Sequence, residues 1–376
     1  MTNIPIIYYH SVGIKHHAWR KNFLTLELTF FEDQLKYFSR HYNVITLKDY
    51  WKIRNGLKEP VKNAIVLTFD DGYLDNWQNA YPLLKKYGLK GTIFVSPEFV
   101  DLKNGVRPNL EDVWNGNAEM KDLHQWGFLS WEEMRVMEDS GVMDIQSHTI
   151  THTKYPVSDK LVGFHRPGAD CLYYTGNLFP DKKPYYIEYP GFEKLLPYGF
   201  PVFEMQSAII ARKVEFNLLF IDHCIEAFKD YDYDEYNSKE AFGQVRHKYD
   251  EMRKNDTLIL AREKEDDYQE RVRKEIFESK RIIEQKLNKT VEFLCWPHGD
   301  NNDFAHEMAM EAGYLATSIG KSNANPEDKD RFSRMGGPMV KNNRLLTRLK
   351  LHYKLKSFQK KQLWKSINDI YSGIMH

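Results

Sequence analysis

The sequence predicts an α/β fold with a mainly parallel sheet, either a barrel or a doubly wound sheet, and three observations predict it. Short apolar runs of strand character alternate with amphipathic stretches of helical period over residues 6–146. Chemically active residues (His10, the pair Asp70-Asp71, His148) stand where those runs end, and strand exits are where barrel folds place their sites. The alternation lapses between Thr153 and about Asp266 and then resumes, as it would around an insertion.

Taken in order, Ile6–Tyr9 reads as a strand ending at His10. Thr29 and Glu32 have capping-box spacing and predict a helix to about Arg40. Val44–Leu47 reads as a strand. Ala64–Leu67 is a buried strand running to Phe69, with Gly72 allowing a sharp turn just beyond it. Asn76–Tyr87 is helical, with Trp77, Ala80, Leu83 and Leu84 on one face. Gly91–Val95 is a strand, Trp131–Ser140 a helix capped by Ser130, and Val142–Gln146 a strand. The stretch 153–266 is dense in aromatics, and Pro167, Pro180, Pro184, Pro190, Pro197 and Pro201 break regular structure; a helix is expected around Ala208–Phe228. Val272, Ile276, Ile283 and Leu287 then fit one face of a helix Tyr268–Leu287. Val291–Trp296 is a strand running into Pro297-His298-Gly299, followed by a helix Asn302–Ala312 and a strand Tyr314–Ser318. The expected organisation is one unit over 1–335, interrupted by the 153–266 insertion, and a basic tail over 336–376.

With 376 residues, 42% of them hydrophobic, the chain can bury one large core or two domains. Lys plus Arg and Asp plus Glu number 53 each, so bulk charge gives no reason to expect a nucleic-acid partner. Cys171, Cys224 and Cys295 are odd in number and widely spaced, which fits a reducing compartment. The N-terminus lacks the basic and apolar regions of a secretory signal, and no window approaches the roughly 20 apolar residues of a membrane span. The expectation is a cytoplasmic protein. Between Arg331 and Asn368 there is no acidic residue, while basic and apolar residues interleave over 341–365. A helix packed on the barrel is the plain reading of that tail, and peripheral docking on the inner face of an anionic membrane is the sharper one.

Two adjacent carboxylates at a strand exit, Asp70 and Asp71, are costly without a cation. His148 and His152 can converge on one ion, and the intervening Thr-Ile-Thr disfavours a helix and points to a loop. One carboxylate and two imidazoles suit a divalent metal, zinc first, with cobalt, nickel or iron(II) as alternatives; the second carboxylate is left free to act as a base. In isolation the acid pair would read as a helix N-cap and the histidines as an ordinary core or surface pair, and it is their joint occurrence that favours the metal.

Thr68-Phe69-Asp70-Asp71-Gly72-Tyr73 and Ser147-His148-Thr149-Ile150-Thr151-His152 resemble, in order, the first two signatures of the polysaccharide deacetylases, the NodB-homology or carbohydrate esterase family 4 proteins. Tyr9-His10 and Leu129-Ser130-Trp131 are similar to further family features, and Trp296-Pro297-His298-Gly299 resembles a later Pro-Tyr-Gly signature with His298 in place of Tyr. The resemblance covers about 5–152 and 268–335. It implies a distorted (β/α)7-type, TIM-like barrel in which Asp70 is the catalytic base, Asp71, His148 and His152 bind the metal, and the amide near His298 stabilises an oxyanion. It also implies an Arg at the position of Cys295, where it would orient the base; Arg334 or Arg166 is the candidate substitute. The family's general acid has no clear match, and Leu351-His352, His10, His298 and His223 are the candidates. The implied reaction is removal of an acetyl group, N-acetyl before O-acetyl, from a sugar of a surface polysaccharide, lipopolysaccharide or lipid-linked precursor. A NodB-type amidohydrolase acting on a non-sugar amide or imide, and a non-catalytic glycan-binding protein, are the alternatives.

Overall fold

In a computed structural model the fold is described for residues 4–16, 19–124, 126–189, 191–230, 239–322, 325, 327–338 and 343–359. Its centre is a nine-stranded sheet, parallel at every pairing. Along the sheet the order is Arg331–Phe332, Ala316–Ser318, Phe293–Leu294, Met143–Ser147, Gly91–Val95, Ala64–Phe69, Ile6–Tyr9 and Met335–Gly336, with Asn43–Val44 beside the start of Ala64–Phe69. The two outermost strands are successive pieces of one stretch, separated only by Ser333 and Arg334. The sheet therefore curls until its edges meet, and the segment 331–336 is the seam of a distorted barrel, as the resemblance implied.

Period-two alternation sorts the strand residues onto two faces. Ile7, Leu67, Ile93, Ile145 and Leu294 pack with Phe31, Trp77, Met134 and Ile276 of the surrounding helices. Ile6, Val66, Phe94, Phe293, Cys295 and Phe332 pack with one another inside the barrel. Strands buried on both faces are the rule for parallel sheets, and all six residues of Ala64–Phe69 are buried. The same parity carries Asp70 inward, two residues beyond Thr68. The helix Leu47–Arg54 closes the opposite end with Leu47, Tyr50 and Ile53.

Several element boundaries differ from expectation. Val44–Leu47 is not a strand: only Asn43–Val44 pairs, and the Thr46 side chain accepts the Asp49 N–H at 3.0 Å to start the helix Leu47–Arg54. Thr29 does not cap its helix, which spans Leu28–His41 directly after the strand Thr25–Glu27. The helix expected over Ala208–Phe228 occupies only Leu218–Phe228, because Val214–Phe216 pairs with Ile259–Arg262 and Asn217 caps the helix through the Leu219 N–H.

The insertion forms two hairpin-like pairs, Lys154–Phe164 with Pro201–Ser207 and Val214–Phe216 with Ile259–Arg262, and the helices Leu218–Phe228 and Lys239–Lys254. Part of it has its own core of Phe203, Phe220, Cys224, Phe228 and Val245. The rest does not: Tyr173, Tyr174, Tyr186, Phe192 and Phe200 pack with Trp19, Tyr73, Phe99 and Phe128 around the barrel mouth. No helix among the described residues is long and apolar enough to cross a membrane.

The tail forms the helix Arg344–Gln359, whose Leu351 and Leu355 are buried against Leu28–His41. Tyr37 Oη lies 2.7 Å from His352 Nδ1, and Arg344 pairs with Asp33. Lys341, Lys360, Lys361, Leu363, Trp364 and Lys365 lie outside the described residues. Because Leu351 is fully buried and Leu345 is 66% exposed, Leu351→Ala is expected to cost about 2–5 kcal/mol and Leu345→Ala less than about 0.5 kcal/mol in urea unfolding. Equal costs would show that the helix is not docked.

Candidate active site

A cavity of about 560 Å³ opens at the strand exits, lined by His10, Asp70, Asp71, His148, His152, His298 and Arg334 among others. All six residues singled out for the site thus meet in one place, with the Arg that was proposed as a substitute.

Asp70 extends the strand, its N–H bonded to Tyr9 O at 2.9 Å. Its carboxylate is clamped by Arg334, with Nη1 to Oδ1 at 2.7 Å and Nη2 to Oδ2 at 2.9 Å, the two-pronged geometry in which guanidinium and carboxylate match best. Burial pushes the Asp70 carboxyl up, but the Arg334 charge and hydrogen bonds outweigh it and hold the group below its ordinary value. Arg334 Nη2 also lies 2.7 Å from Cys295 Sγ, so the small side chain at 295 makes room for an arginine arriving from the seam. Arg166 is exposed and does not line the cavity. His10 Nε2 stands 3.9 Å from Asp70 Oδ2.

Asp71, His148 and His152 bring one ligand atom each to within 4.8 Å of one another. Asp71 Oδ1 lies 3.3 Å from His148 Nε2 and 3.1 Å from His152 Nε2, yet it is buried and accepts no hydrogen bond of proper geometry. His148 Nδ1 sits 2.7 Å from Cys295 O, so a proton there leaves the Nε2 lone pair facing Asp71. Three donor atoms converging without hydrogen bonds between them fit a cation, and their chemistry suits a divalent metal of zinc type.

The backbone here is unusual. Asp71, Thr149, His152 and His298 have φ values of 71°, 62°, 42° and 59°. Left-handed conformations cost non-glycine residues of order 1–3 kcal/mol each and persist where surroundings enforce them. Gly72, at φ 70°, follows Asp71; a Cβ there would lie 3.0 Å from Val95 Cγ1. The loop between the histidines is held by Glu275, whose Oε2 accepts the Ile150 and Thr151 N–H at 3.0 Å each and whose Oε1 accepts Thr151 Oγ1–H at 2.6 Å. Lys183, from the insertion and 2% exposed, reaches the same loop, with Nζ 2.5 Å from Glu98 Oε2 and 3.1 Å from Thr151 O. Neither residue was singled out in the sequence. Glu275 could have been, because it shares the buried helix face of Val272, Ile276 and Ser279; Lys183 carries no local signal.

His298 lines the cavity, its ring 4.5 Å from that of His152 and 5.6 Å from that of Tyr173, with Nε2 buried and unpaired. Burial, followed by the neighbouring His152 and Lys154, pushes its basicity far down. Trp296 Nε1 is likewise buried and unpaired, and Trp296 lines the cavity. His352 and His223 are corrected as acid candidates: His352 is turned to Tyr37 on the helix Arg344–Gln359 and His223 lies on the insertion helix Leu218–Phe228, neither lining the cavity.

Fold and site together define a parallel α/β barrel that carries an Asp-His-His cluster of metal-ligand type beside an arginine-clamped carboxylate. Residues 58–162 match the model of the polysaccharide deacetylase family, and the resemblance seen in the motifs is borne out there. Over 150 residues the chain is 32% identical to YxkH of Bacillus subtilis, a protein named for that family; the match covers 40% of this chain and 43% of that one. Over 120 residues it is 27% identical to the poly-β-1,6-N-acetyl-D-glucosamine N-deacetylase of Staphylococcus aureus, covering 32% of this chain and 35% of that one. The matches thus span less than half of these relatives' own length. Among solved structures, a de-N-acetylase from Aggregatibacter actinomycetemcomitans superposes with a TM-score of 0.52 at 18% identity, covering 89% of this chain and 94% of that one. The Streptococcus pyogenes deacetylase PplD superposes with 0.50 at 15%, covering 93% and 97%. At such identities these likenesses concern the fold.

Elemental analysis tests the ligand assignment. Asp71→Ala and His152→Ala are expected to lose a stoichiometric divalent metal, whereas Asp70→Asn keeps it. Glu275→Gln should weaken metal binding about tenfold or more by loosening the ligand loop. Loss of the metal in Asp70→Asn would place the base among the ligands instead.

Proposed function

We propose that this protein is a metal-dependent hydrolase that removes the acetyl group from an N-acetylated sugar of a glycan. The observation that carries the reading is Asp70: it adjoins the Asp71, His148 and His152 cluster but is withheld from it by the two-pronged Arg334 clamp. A carboxylate kept ionised in this way is a proton acceptor beside an ion site, which is what amide hydrolysis requires.

A divalent cation held by Asp71, His148 and His152, with zinc the best match to the donors, would supply the Lewis acidity that makes water nucleophilic and polarises the acetamide carbonyl. Asp70 takes the proton of the attacking water. Arg334 fixes the carboxylate's orientation and keeps it charged. His10, 3.9 Å from Asp70, passes a proton toward the departing amine in this reading. His298, kept neutral by its burial, donates a hydrogen bond to the substrate rather than a proton. The Gly299 and Asp300 N–H groups close the turn onto Trp296 and Pro297, which leaves the His298 N–H outside those two bonds as an oxyanion donor. Tyr173, Tyr186 and Phe128 wall the cavity and offer faces to a sugar ring. Poly-β-1,6-N-acetyl-D-glucosamine, for which the Staphylococcus relative is named, is the first polymer to test.

Acetate release reads the activity directly. Asp70→Asn is expected to lower kcat by about 100-fold or more with zinc retained; full activity would refute the base. Arg334→Gln is expected to move the acid limb of the kcat/KM profile upward. With Arg334 present the Asp70 carboxyl stays below its ordinary value and remains ionised in mild acid; without it, burial pushes the carboxyl up, so activity is lost in mild acid and kept at higher pH. An unmoved acid limb would show that the limb is not Asp70.

A further inference from the structure

One residue of the cavity wall has no part in the chemistry above. Phe23 lines the cavity that holds Asp71, His148 and His152, yet it is 78% exposed, so it lies where the cavity opens to solvent. Single exposed aromatics are ordinary on a protein surface, but this one is held in place from both sides. It is the middle residue of the turn Asn22–Leu24, in which the Asn22 N–H bonds Trp19 O at 3.1 Å, the Leu24 N–H bonds Lys21 O at 2.9 Å and the Thr25 N–H bonds Asn22 O. On one side Trp19 is buried, and its Nε1–H donates to Tyr186 Oη at 3.1 Å. On the other, Leu24 packs into the aromatic cluster around the barrel mouth, and Thr25 begins the strand Thr25–Glu27, which pairs with Ser11–Gly13. The anchors are covered, and the ring between them is not.

Fixing the backbone around an exposed ring removes part of the ordering cost that a ligand would otherwise meet. Phenylalanine has no donor or acceptor to offer, so what it holds is a flat apolar surface. An equatorially substituted pyranose presents such a surface in its axial C–H bonds. The cavity volume of about 560 Å³ falls inside the range of roughly 300–1,000 Å³ that takes up drug-sized ligands, which leaves room for a second sugar beside the acetylated one. Tyr173, whose ring stands against that of His298, which stands against His152, belongs to the inner wall; Phe23 belongs to the rim. We propose that Phe23 is the platform for the sugar adjoining the one that loses its acetyl group, so that the substrate is a chain of two or more sugars and not a free N-acetylated monosaccharide. This rests on the deacetylase reading and narrows its substrate to an oligomer whose neighbouring sugar is read by its C–H face instead of by individual hydroxyls.

Calorimetric titration of the full-length Asp70→Asn protein tests this without turnover. The probes are N-acetylglucosamine and its β-1,6-linked and β-1,4-linked disaccharides. At least one disaccharide is expected to bind about fivefold or more tightly than the monosaccharide. Adding Phe23→Ala should bring that ratio close to one, and Phe23→Trp, which restores an aromatic face, should keep it. A loss shared equally by monosaccharide and disaccharide would give Phe23 a structural role and overturn the subsite. Equal binding of all three probes also overturns it, as does an advantage that survives Phe23→Ala or a failure of both disaccharides to bind. Acetate release from the same probes by the unaltered protein is read separately. The expected binding ratio without acetate release would sink the deacetylase reading and leave the subsite; acetate release without a preference for the disaccharide in binding would do the reverse.

Discussion

The ion pair between Asp70 and Arg334 is the constraint on which the rest of the site depends. Two adjacent carboxylates at one strand exit would otherwise compete for the same cation or share a proton. The guanidinium settles the competition by occupying both oxygens of Asp70, leaving Asp71 to the histidines. Arg334 does this from the seam, since it is one of only two residues between the strands that end the sheet on either side. Closing the barrel and orienting the Asp70 carboxylate are therefore one structural event. Removing one partner of such a buried pair costs of order 3–5 kcal/mol, so loss of the arginine is expected to loosen the seam as well as free the Asp70 carboxylate.

The ligand loops show a second dependence. Backbone conformations that favour glycine are imposed on Asp71, Thr149, His152 and His298. Strain of this kind persists only where neighbours over-determine the geometry. Glu275 does so from the barrel's own helix through three hydrogen bonds to the histidine loop, and Lys183 does so from the insertion through Thr151 O and Glu98. The insertion thus has two parts with different work: one buries its own core, and the other roofs the barrel mouth and buttresses the histidine loop.

Much of this was legible in the sequence, for a physical reason. Ala64–Phe69 and Gly91–Val95 are apolar on both faces, and only a parallel sheet covered on both sides accepts such strands. Asp70, Asp71, His148 and His152 were legible because paired acids at a strand exit and two histidines four apart are residue types that a cation can bring together wherever the chain goes. What was not legible depends on contacts remote in sequence. Thr46 reads as part of a β-branched run until its side chain is seen capping a helix. Tyr173 and Tyr186 lie in the aromatic-dense insertion, where no local pattern gives their partners, yet they pack on Tyr73, Phe99 and Phe128 of the barrel. Arg334 could be offered as a substitute for an absent arginine, but its selection over Arg166 required the closure of the sheet, which places one at Asp70 and leaves the other exposed.

The division of labour within the acid pair is tested most directly by anomalous diffraction from crystals of the zinc-loaded protein. One ion coordinated by Asp71, His148 and His152 is expected, with Asp70 outside ligand distance and still clamped by Arg334. An ion coordinated by Asp70, with Arg334 displaced from it, would reverse the roles of the two acids.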